Sequence, residues 1–444
     1  MALRMGLLRY FVPSRQPGRF EEAPSRSRSL LFREFLGFGS SSVILQVSRV
    51  VSGLVVAALL GPATWGWWYL LNLIVAYGAL TQLGALNGLN REVPAALGRG
   101  QAEESVALRR VALGVVLAAT GGVSVVLLAV AWWWPGIVSL TDLALVVALL
   151  ITHQAFGYVS TCLKATTNFF VVARLQFVLA VGYPVFGIAG AWAYGLPGFI
   201  VGQAVAYMVA TVIASRHPEV VVAPRVDVAR VRSLVSIGFP IMLVGVVHTL
   251  FSTVDRWVVV AFLGAEPLGY YSLAIMALGA VGLLPQVIAQ QLYPRMAHAW
   301  AARSDTAELR SLAGRVRRMS FVVVVPVALV GLLVAPPAVR ALLPAFAAGI
   351  PALMVTLFVP VVGAVGQGYG SVLHMLDRQS WLLAAIIVSA LVNVGLSLLL
   401  VGPFGLVGVA YGTLGAFACF SALRVALGAK ALEIEERGLA QRVE

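Results

Sequence analysis

The sequence contains twelve long apolar stretches, and almost all of its positive charge lies on one side of them. Of its 31 Lys and Arg residues, all but Arg49, Arg256 and Arg340 lie at the two chain ends, in every second segment that connects the stretches, or at the ends of stretches next to those segments. Lys and Arg are retained on the cytoplasmic side of a bilayer, so this asymmetry predicts a polytopic membrane protein with both termini in the cytoplasm. We call the side that carries these residues the basic side. The other is the turn side, because its connections are mostly short turns.

The apolar stretches predict an all-α membrane protein. Crossing the hydrocarbon as a helix takes about 20 residues. Unbroken apolar runs favour helices, whereas barrel strands would alternate over about ten residues. A hydrophobic fraction of 60% with 11% charged residues excludes an ordinary soluble domain. The predicted spans are 36–60, 65–89, 111–134, 142–161, 171–192, 196–214, 235–263, 268–292, 319–336, 350–373, 381–401 and 405–428.

An internal repeat predicts two lobes. The segment LLGPATWGWWYL at 59–70 resembles FLGAEPLGYYSL at 262–273, and GLPGFIVG at 195–202 resembles GLVGVAYG at 405–412. Nearly equal offsets between equivalent spans indicate a duplicated six-helix lobe, although Gly/Pro turns between apolar helices also look alike. The predicted organisation is a basic leader (1–35), a first lobe (36–214), a cytoplasmic linker (215–234), a second lobe (235–428) and a cytoplasmic tail (429–444). Two such lobes enclose a central cavity and suit alternating access.

The beginning of the chain is basic. Residues 1–12 carry Arg4 and Arg9 on a short apolar stretch without a small-residue cleavage site. This predicts either an interfacial helix or a start assigned too far upstream.

Three charged side chains lie well within spans: Arg49, Asp255 and Arg256. Each costs about 2.5–3.5 kcal/mol there on insertion scales, so each needs a partner or an aqueous cavity. One interpretation is an Asp255–Arg49 ion pair that locks the lobes together. The other is that the arginines bind an anionic group in the cavity, because a guanidinium binds phosphate oxygens bidentately. Asp255 would then release them or carry a coupling cation.

Other polar residues mark weaker candidates. His248 lies two turns before Asp255, on nearly the same helical face, and is either a structural histidine or a proton-coupling group. Arg91 and Arg295 end spans two and eight at nearly the repeat offset. They could capture a substrate headgroup at the cytoplasmic mouth, or serve only as topological charge. Further polar positions either bridge helices or bind sugar hydroxyls: Gln46, Asn72, Gln82, Asn87, His153, Gln154, Gln203, Gln286, Gln290 and Gln291.

Several functions lack their sequence signatures. There is no GxxxxGK[ST] loop for ATP, no Cys/His cluster for a metal, and no pair of carboxylates placed for sugar transfer. We therefore expect no catalytic residues, no metal and no bound cofactor, and no nucleic-acid partner. An H⁺ or Na⁺ gradient is the candidate energy source.

Two long segments resemble one family. FREFLGFGSSSVILQVSRVVSGLVVAALLGPATWGWWYL with LTQLGALNGLNREVPAALGRGQ is similar to the start of polysaccharide transporters of the O-antigen flippase type. TVDRWVVVAFLGAEPLGYYSLA with LPQVIAQQLYPRMA is similar to their second-lobe opening. These proteins belong to the multidrug/oligosaccharidyl-lipid/polysaccharide (MOP) exporter superfamily, and the resemblance covers residues 33 to about 428.

The resemblance implies a flippase of the bacterial cytoplasmic (inner) membrane. Its substrate would be a polyprenyl-diphosphate-linked oligosaccharide for surface polysaccharide, whose headgroup crosses a basic cavity while the lipid stays in the bilayer. Arg49 and Arg256 match positions where family members place cavity arginines. The implied partners are this lipid-linked glycan, membrane lipids and glycan polymerase or assembly proteins.

Other functions remain open. The same superfamily contains peptidoglycan-precursor flippases, for which fourteen helices would be expected. It also contains drug or cation antiporters, for which carboxylates in the first lobe would be expected. A membrane glycosyltransferase or polymerase is disfavoured by the short external loops. An assembly factor that does not transport is a further alternative.

Overall fold

The computed structural model describes residues 28–78, 80–133, 139–303 and 305–443, and this part of the chain is helical, without β-strands. In chain order the helices are α1 (Arg28–Gly78), α2 (Ala85–Gly98), α3 (Ala102–Trp133), α4 (Leu140–Ala165), α5 (Phe169–Ser215), α6 (Val228–Phe251), α7 (Val254–Phe262), α8 (Ala265–Arg303), α9 (Thr306–Leu342), the 3₁₀ helix η1 (Pro344–Gly349), α10 (Ile350–Thr356), α11 (Val359–Met375) and α12 (Gln379–Val443). The predicted interfacial helix at 1–12 and the leader as far as residue 27 lie outside the described residues.

The described helices make twelve spans. Nine helical segments in this part of the chain are long and apolar enough to cross a membrane. Three of them, α1, α5 and α12, are bent at Gly61 (φ 74°), Gly195 (φ 62°) and Gly405 (φ 55°), so each is two spans joined at a turn. Glycine adopts this left-handed conformation without steric cost. The predicted number of spans is confirmed, although the last turn falls at Gly405 rather than at 402–404.

Two predicted spans are not continuous helices. In span two, α1 ends at Gly78 and α2 begins at Ala85. In span seven, α6 ends at Phe251 and α7 begins at Val254. The side chain of Thr253 contributes to the second break, because its hydroxyl bonds the carbonyl of Thr249 and meets the Tyr77 hydroxyl at 2.6 Å. Each of these two spans is therefore made of two helical segments in succession.

The apolar core is shared between the two halves on the turn side and divided on the basic side. One large cluster joins Trp65 and Phe199 of the first half to Tyr271 and Phe346 of the second. Toward the basic side, a cluster of the first half (with Leu234 of α6) and a cluster of the second half are separate. This is the two-lobed fold, with the lobes joined on the turn side and a cavity that opens toward the basic side.

Glycine backbones make the closest contacts between the lobes. On the turn side, Gly66 of α1 packs against Gly269 of α8, which is its repeat equivalent. On the basic side, a methyl group on Gly238 of α6 would lie 2.6 Å from the amide nitrogen of Gly88 in α2. Between these levels, the indole nitrogen of Trp257 donates to the Tyr77 hydroxyl at 2.9 Å. The first contact joins span two to span eight, and the other two join span two to span seven.

The outer surface of the bundle is apolar and carries aromatic residues near helix ends. Trp132, Trp133, Trp192 and Tyr194 are each more than 70% exposed. All four lie at or near the turn-side ends of their helices. Amphipathic aromatic rings concentrate at membrane–water interfaces, so this surface fits a multi-pass membrane protein.

Candidate functional site

A cavity of about 1060 Å³ lies between the two lobes. Most contributing helices present residues three, four or seven positions apart, which is the spacing of one helical face. In α1 these are Gln46, Arg49, Val50 and Gly53, and in α11 they are Pro360, Gly363, Gln367, Ser371 and His374. The lining also contains many of the predicted polar positions, namely Asn72, His153, Gln203, Gln286 and Gln290. Gln154, by contrast, bridges helices by donating to the carbonyl of Gly78.

Arg49 points into this cavity from the first lobe. Its Nη2 donates to the hydroxyls of Tyr183 at 3.3 Å and Tyr207 at 3.2 Å. The guanidinium also lies 4.9 Å from the centre of the Tyr183 ring, within cation–π distance. Both tyrosines are buried, whereas Arg49 is exposed to the cavity. The hydroxyls orient the guanidinium without neutralising its charge.

Arg256 points into the same cavity from the second lobe. It lies in the first turn of α7, with its guanidinium carbon 6.0 Å from the centre of the Tyr69 ring of the first lobe. Its Nε is buried without a hydrogen-bond partner. The structure therefore brings Arg49 and Arg256 to one cavity from opposite lobes, and their role in binding remains a prediction.

Asp255 lies behind the cavity wall. Its carboxylate accepts hydrogen bonds from the Tyr271 hydroxyl at 3.0 Å and from the backbone N–H of Arg256 at 2.9 Å, and the residue is only 4% exposed. The Asp255–Arg49 ion pair is not formed in this conformation. A carboxylate in the first turn of α7 is favoured by the helix dipole. The role of Asp255 in binding or ion coupling remains a prediction.

His248 lines the cavity, but it does not share a face with Asp255. The break between α6 and α7 separates the two residues and changes their relative direction. Their part in proton coupling remains a prediction. Arg91 in α2 and Arg295 in α8 are exposed and lie outside the cavity lining. Capture of a headgroup by this pair also remains a prediction.

Arg424 is a third cavity arginine, which the sequence did not single out. It lies within the predicted span 405–428 but close to its basic end, where arginine is ordinarily topological charge. In α12 it lines the cavity with Phe417 and Phe420, which are seven and four residues earlier on the same helical face. This spacing in the sequence could have identified Arg424, because it places the arginine on the same face of the span as the two aromatic rings.

The cavity is strongly basic. Arg49, Arg256 and Arg424 line it, together with His153, His248 and His374. No Asp, Glu or Lys occurs among the described residues of its lining. Among the residues that the structure covers, no group of three His, Cys, Asp or Glu could hold a metal ion. The arrangement is suited to an anionic solute that also offers groups for hydrogen bonding and ring stacking.

The fold is similar to solved transporter structures. An inward-facing multidrug resistance transporter of the MATE family of the MOP superfamily is similar with a TM-score of 0.66 at 13% identity, over 88% of this chain and 96% of that chain. The MATE transporter VcmN of Vibrio cholerae, in its bent form, is similar with a TM-score of 0.62 at 16% identity, over 92% and 98%. The lipid II flippase MurJ, in an inward closed conformation, is similar with a TM-score of 0.63 at 14% identity, over 87% and 86%. At these identities the likeness shows the fold.

With two lobes around a basic cavity, the chain has the fold of these transporter structures. The chain belongs to the polysaccharide biosynthesis protein family, whose model matches residues 55–345, more than half of its length. No curated protein sequence matches the chain significantly.

Proposed function

We propose that this protein flips a polyprenyl-diphosphate-linked oligosaccharide from the inner to the outer leaflet of the bacterial cytoplasmic membrane, for surface polysaccharide synthesis. The observation that carries the proposal is a cavity with three arginines and, among its described lining residues, no carboxylate. A diphosphate cannot cross hydrocarbon unaided without a large desolvation cost, and guanidinium groups offset that cost.

The remaining lining suits a glycan. Amide side chains such as Gln203 and Gln286 offer donors and acceptors to sugar hydroxyls, and Trp65, Trp68 and Tyr69 offer ring faces. The cavity opens toward the basic side, which is the predicted cytoplasmic side. The headgroup would enter there and leave after the lobes rock about the cavity, while the lipid stays in the bilayer.

The alternatives differ in the charge or the glycan that they require. A drug or cation antiporter would have to hold a cation beside three unneutralised guanidinium groups, which electrostatic repulsion opposes. A peptidoglycan-precursor flippase carries the same diphosphate chemistry and differs only in the glycan. The coupling ion of the cycle would be H⁺ or Na⁺, and His248 is the candidate group that faces the cavity.

The test is mass spectrometry of polyprenyl-linked glycans in a strain that lacks the gene. The strain is complemented with wild type, Arg49→Ala, Arg256→Ala, or Arg317→Ala as a matched control from the exposed surface of α9. We expect a completed lipid-linked oligosaccharide to accumulate in the deletion strain. Wild type and Arg317→Ala should clear it, and equally expressed cavity variants should not.

Two results would overturn the proposal. Normal lipid-linked pools with normal surface glycan, in a genome without a redundant homologue, would exclude oligosaccharide flipping. Accumulation of the peptidoglycan precursor alone would assign the protein to the alternative glycan.

A further inference from the structure

We propose that Arg424, Gln367, His248 and His374 form a second anion-binding subsite, which takes the phosphate groups of the substrate as it enters from the basic side. We call it the Arg424 subsite. The proposal rests on the function proposed above. It adds a phosphate site that is separate from Arg49 and Arg256.

The Arg424 side chain is held in place but not neutralised. Its Nη2 donates to Oε1 of Gln367 in α11 at 3.0 Å, and its guanidinium carbon lies 4.7 Å from the centre of the Phe420 ring. Its Nε is buried without a hydrogen-bond partner. A guanidinium carries five N–H donors, so Arg424 retains donors for a ligand.

A groove in α11 holds this arginine. Gly366 and Gly370 are four residues apart, on one face of the helix, and both lie against Arg424. A methyl group on Gly370 would lie 2.6 Å from Nη2 and 2.9 Å from Nε of Arg424, and one on Gly366 would lie 3.2 Å from its Cβ. The glycine-rich sequence of span ten therefore has a specific use, which is to let an arginine of α12 lie flat against α11.

Two histidines complete the subsite. His248 of α6 and His374 of α11 both line the cavity and are exposed to it, and both lie within electrostatic range of the Arg424 guanidinium. Each neutral imidazole can donate one N–H, and Gln367 has an amide group for the same purpose. One guanidinium with several neutral donors is a combination that binds phosphate oxygens.

Among the described residues, none forms an ion pair with Arg424. Two acidic residues farther along α12 are engaged elsewhere, since Glu436 pairs with Arg310 at 3.0 Å and Glu435 with Arg378 at 3.6 Å. Arginines that are kept for structure alone within a protein interior are ordinarily paired. A half-buried, unpaired arginine on a cavity wall is better explained by an anionic ligand.

The three cavity arginines lie at successive depths. At 1.5 Å per residue, Arg256 lies about 12 Å along its helix from Gly264, Arg49 about 18 Å from Gly61, and Arg424 about 28 Å from Gly405. These glycines mark the turn side, so Arg424 is the arginine nearest the basic side. An anion that enters from that side meets the Arg424 subsite before Arg49 and Arg256.

The test is binding of farnesyl diphosphate to the full-length protein in nanodiscs of neutral phosphatidylcholine, by calorimetry. We expect Arg424→Gln to weaken binding about tenfold or more, since a hydrogen bond to a charged group is lost. Gly370→Val keeps every charge but fills the groove, and should weaken binding similarly. Arg424→Lys should retain part of the affinity and covers the case in which Arg424→Gln does not fold. Arg317→Gln is the surface control and should bind like wild type.

The results for the other variants and ligands distinguish a failure of the Arg424 subsite from a failure of the proposed function. If Arg49→Gln loses binding while Arg424→Gln and Gly370→Val bind like wild type, the Arg424 subsite is wrong and the proposed function stands. If wild type binds neither farnesyl diphosphate nor inorganic pyrophosphate, both proposals fail. If Arg424 is needed instead for binding phosphatidylglycerol added to the nanodiscs, the subsite serves a membrane phospholipid and the substrate role is overturned.

Discussion

Gly66 and Gly269 occupy equivalent positions in the two lobes and pack backbone to backbone across the turn-side interface. A methyl group on Gly66 would lie 2.7 Å from the amide nitrogen of Gly269, and one on Gly269 would lie 2.6 Å from the carbonyl carbon of Pro62. Heavy atoms that are not bonded pack at about 3.5–4.0 Å, so neither position accepts a side chain in this conformation. This contact closes the cavity on the turn side.

We therefore expect Gly66→Val to open the turn side. The added side chain must push α8 away, which would expose the cavity wall near Ser52. The measurement is labelling of Ser52→Cys by a membrane-impermeant maleimide from outside the cell, with and without Gly66→Val. The labelling rate should rise several-fold.

The matched control for this experiment is Gly122→Val in α3, where an added side chain meets no neighbour within 4 Å. It should leave the labelling rate unchanged. Equal rates with and without Gly66→Val would show that the glycine contact is not the seal.

The hydroxyls of Tyr183 and Tyr207 orient Arg49, so removing them should weaken diphosphate binding. Each hydrogen bond contributes about 0.5–1.5 kcal/mol net, so the double variant Tyr183→Phe/Tyr207→Phe, which removes two, should bind about fivefold or more weakly. Calorimetry with farnesyl diphosphate measures the loss. Tyr411→Phe is the control, because Tyr411 is exposed on α12. Unchanged affinity in the double variant would mean that Arg49 needs no such support.

Asp255→Ala should destabilise the protein and leave diphosphate binding intact. The change removes the acceptor of the Tyr271 hydroxyl and of the Arg256 amide, and an unsatisfied buried donor costs about 1–3 kcal/mol. Thermal unfolding in nanodiscs measures the loss. Thr413→Val, which alters the same network at the Tyr271 hydroxyl, should cost less. An unchanged unfolding temperature together with loss of gradient-driven transport would instead support the ion-coupling role.

The start of α6 should be sensitive to acid. The backbone amide of Arg230, and then its guanidinium, hold the pKa of the Asp227 carboxyl below its usual range. A carboxyl whose pKa is lower in the folded than in the unfolded state stabilises the fold at pH values above its unfolded-state pKa. This stabilisation is lost as the pH falls through its folded-state pKa. Asp227→Ala should therefore lower the unfolding temperature at pH 7, and the difference from wild type should shrink as the pH falls below 4. A difference that stays constant over this range would contradict the assignment.

The architecture follows from signals that lie along the chain. Apolar length gives the number of spans, and a glycine followed by proline within two residues marks the turn at Gly61 and at Gly195. These features are local, so the sequence predicts them without knowledge of the packing between helices.

Contacts between the lobes could not be predicted in this way. The break before Val254 involves the Tyr77 hydroxyl, which is 176 residues away from Thr253. What distinguishes Arg424 from arginines that only mark the cytoplasmic side is the groove at Gly366 and Gly370 in which it lies. This groove belongs to another helix. The direction of Asp255 likewise depends on the helix break, so its sequence position alone suggested a cavity residue.

The absence of acidic residues from the described cavity lining has a consequence for the timing of transport. If the lobes closed over an empty cavity, they would enclose three guanidinium groups without counter-charge, and the low-dielectric interior would penalise that step. A bound diphosphate removes the penalty. The loaded carrier should therefore cross quickly and the empty carrier slowly, which suppresses futile cycling and makes the return of the vacant protein the step that limits turnover.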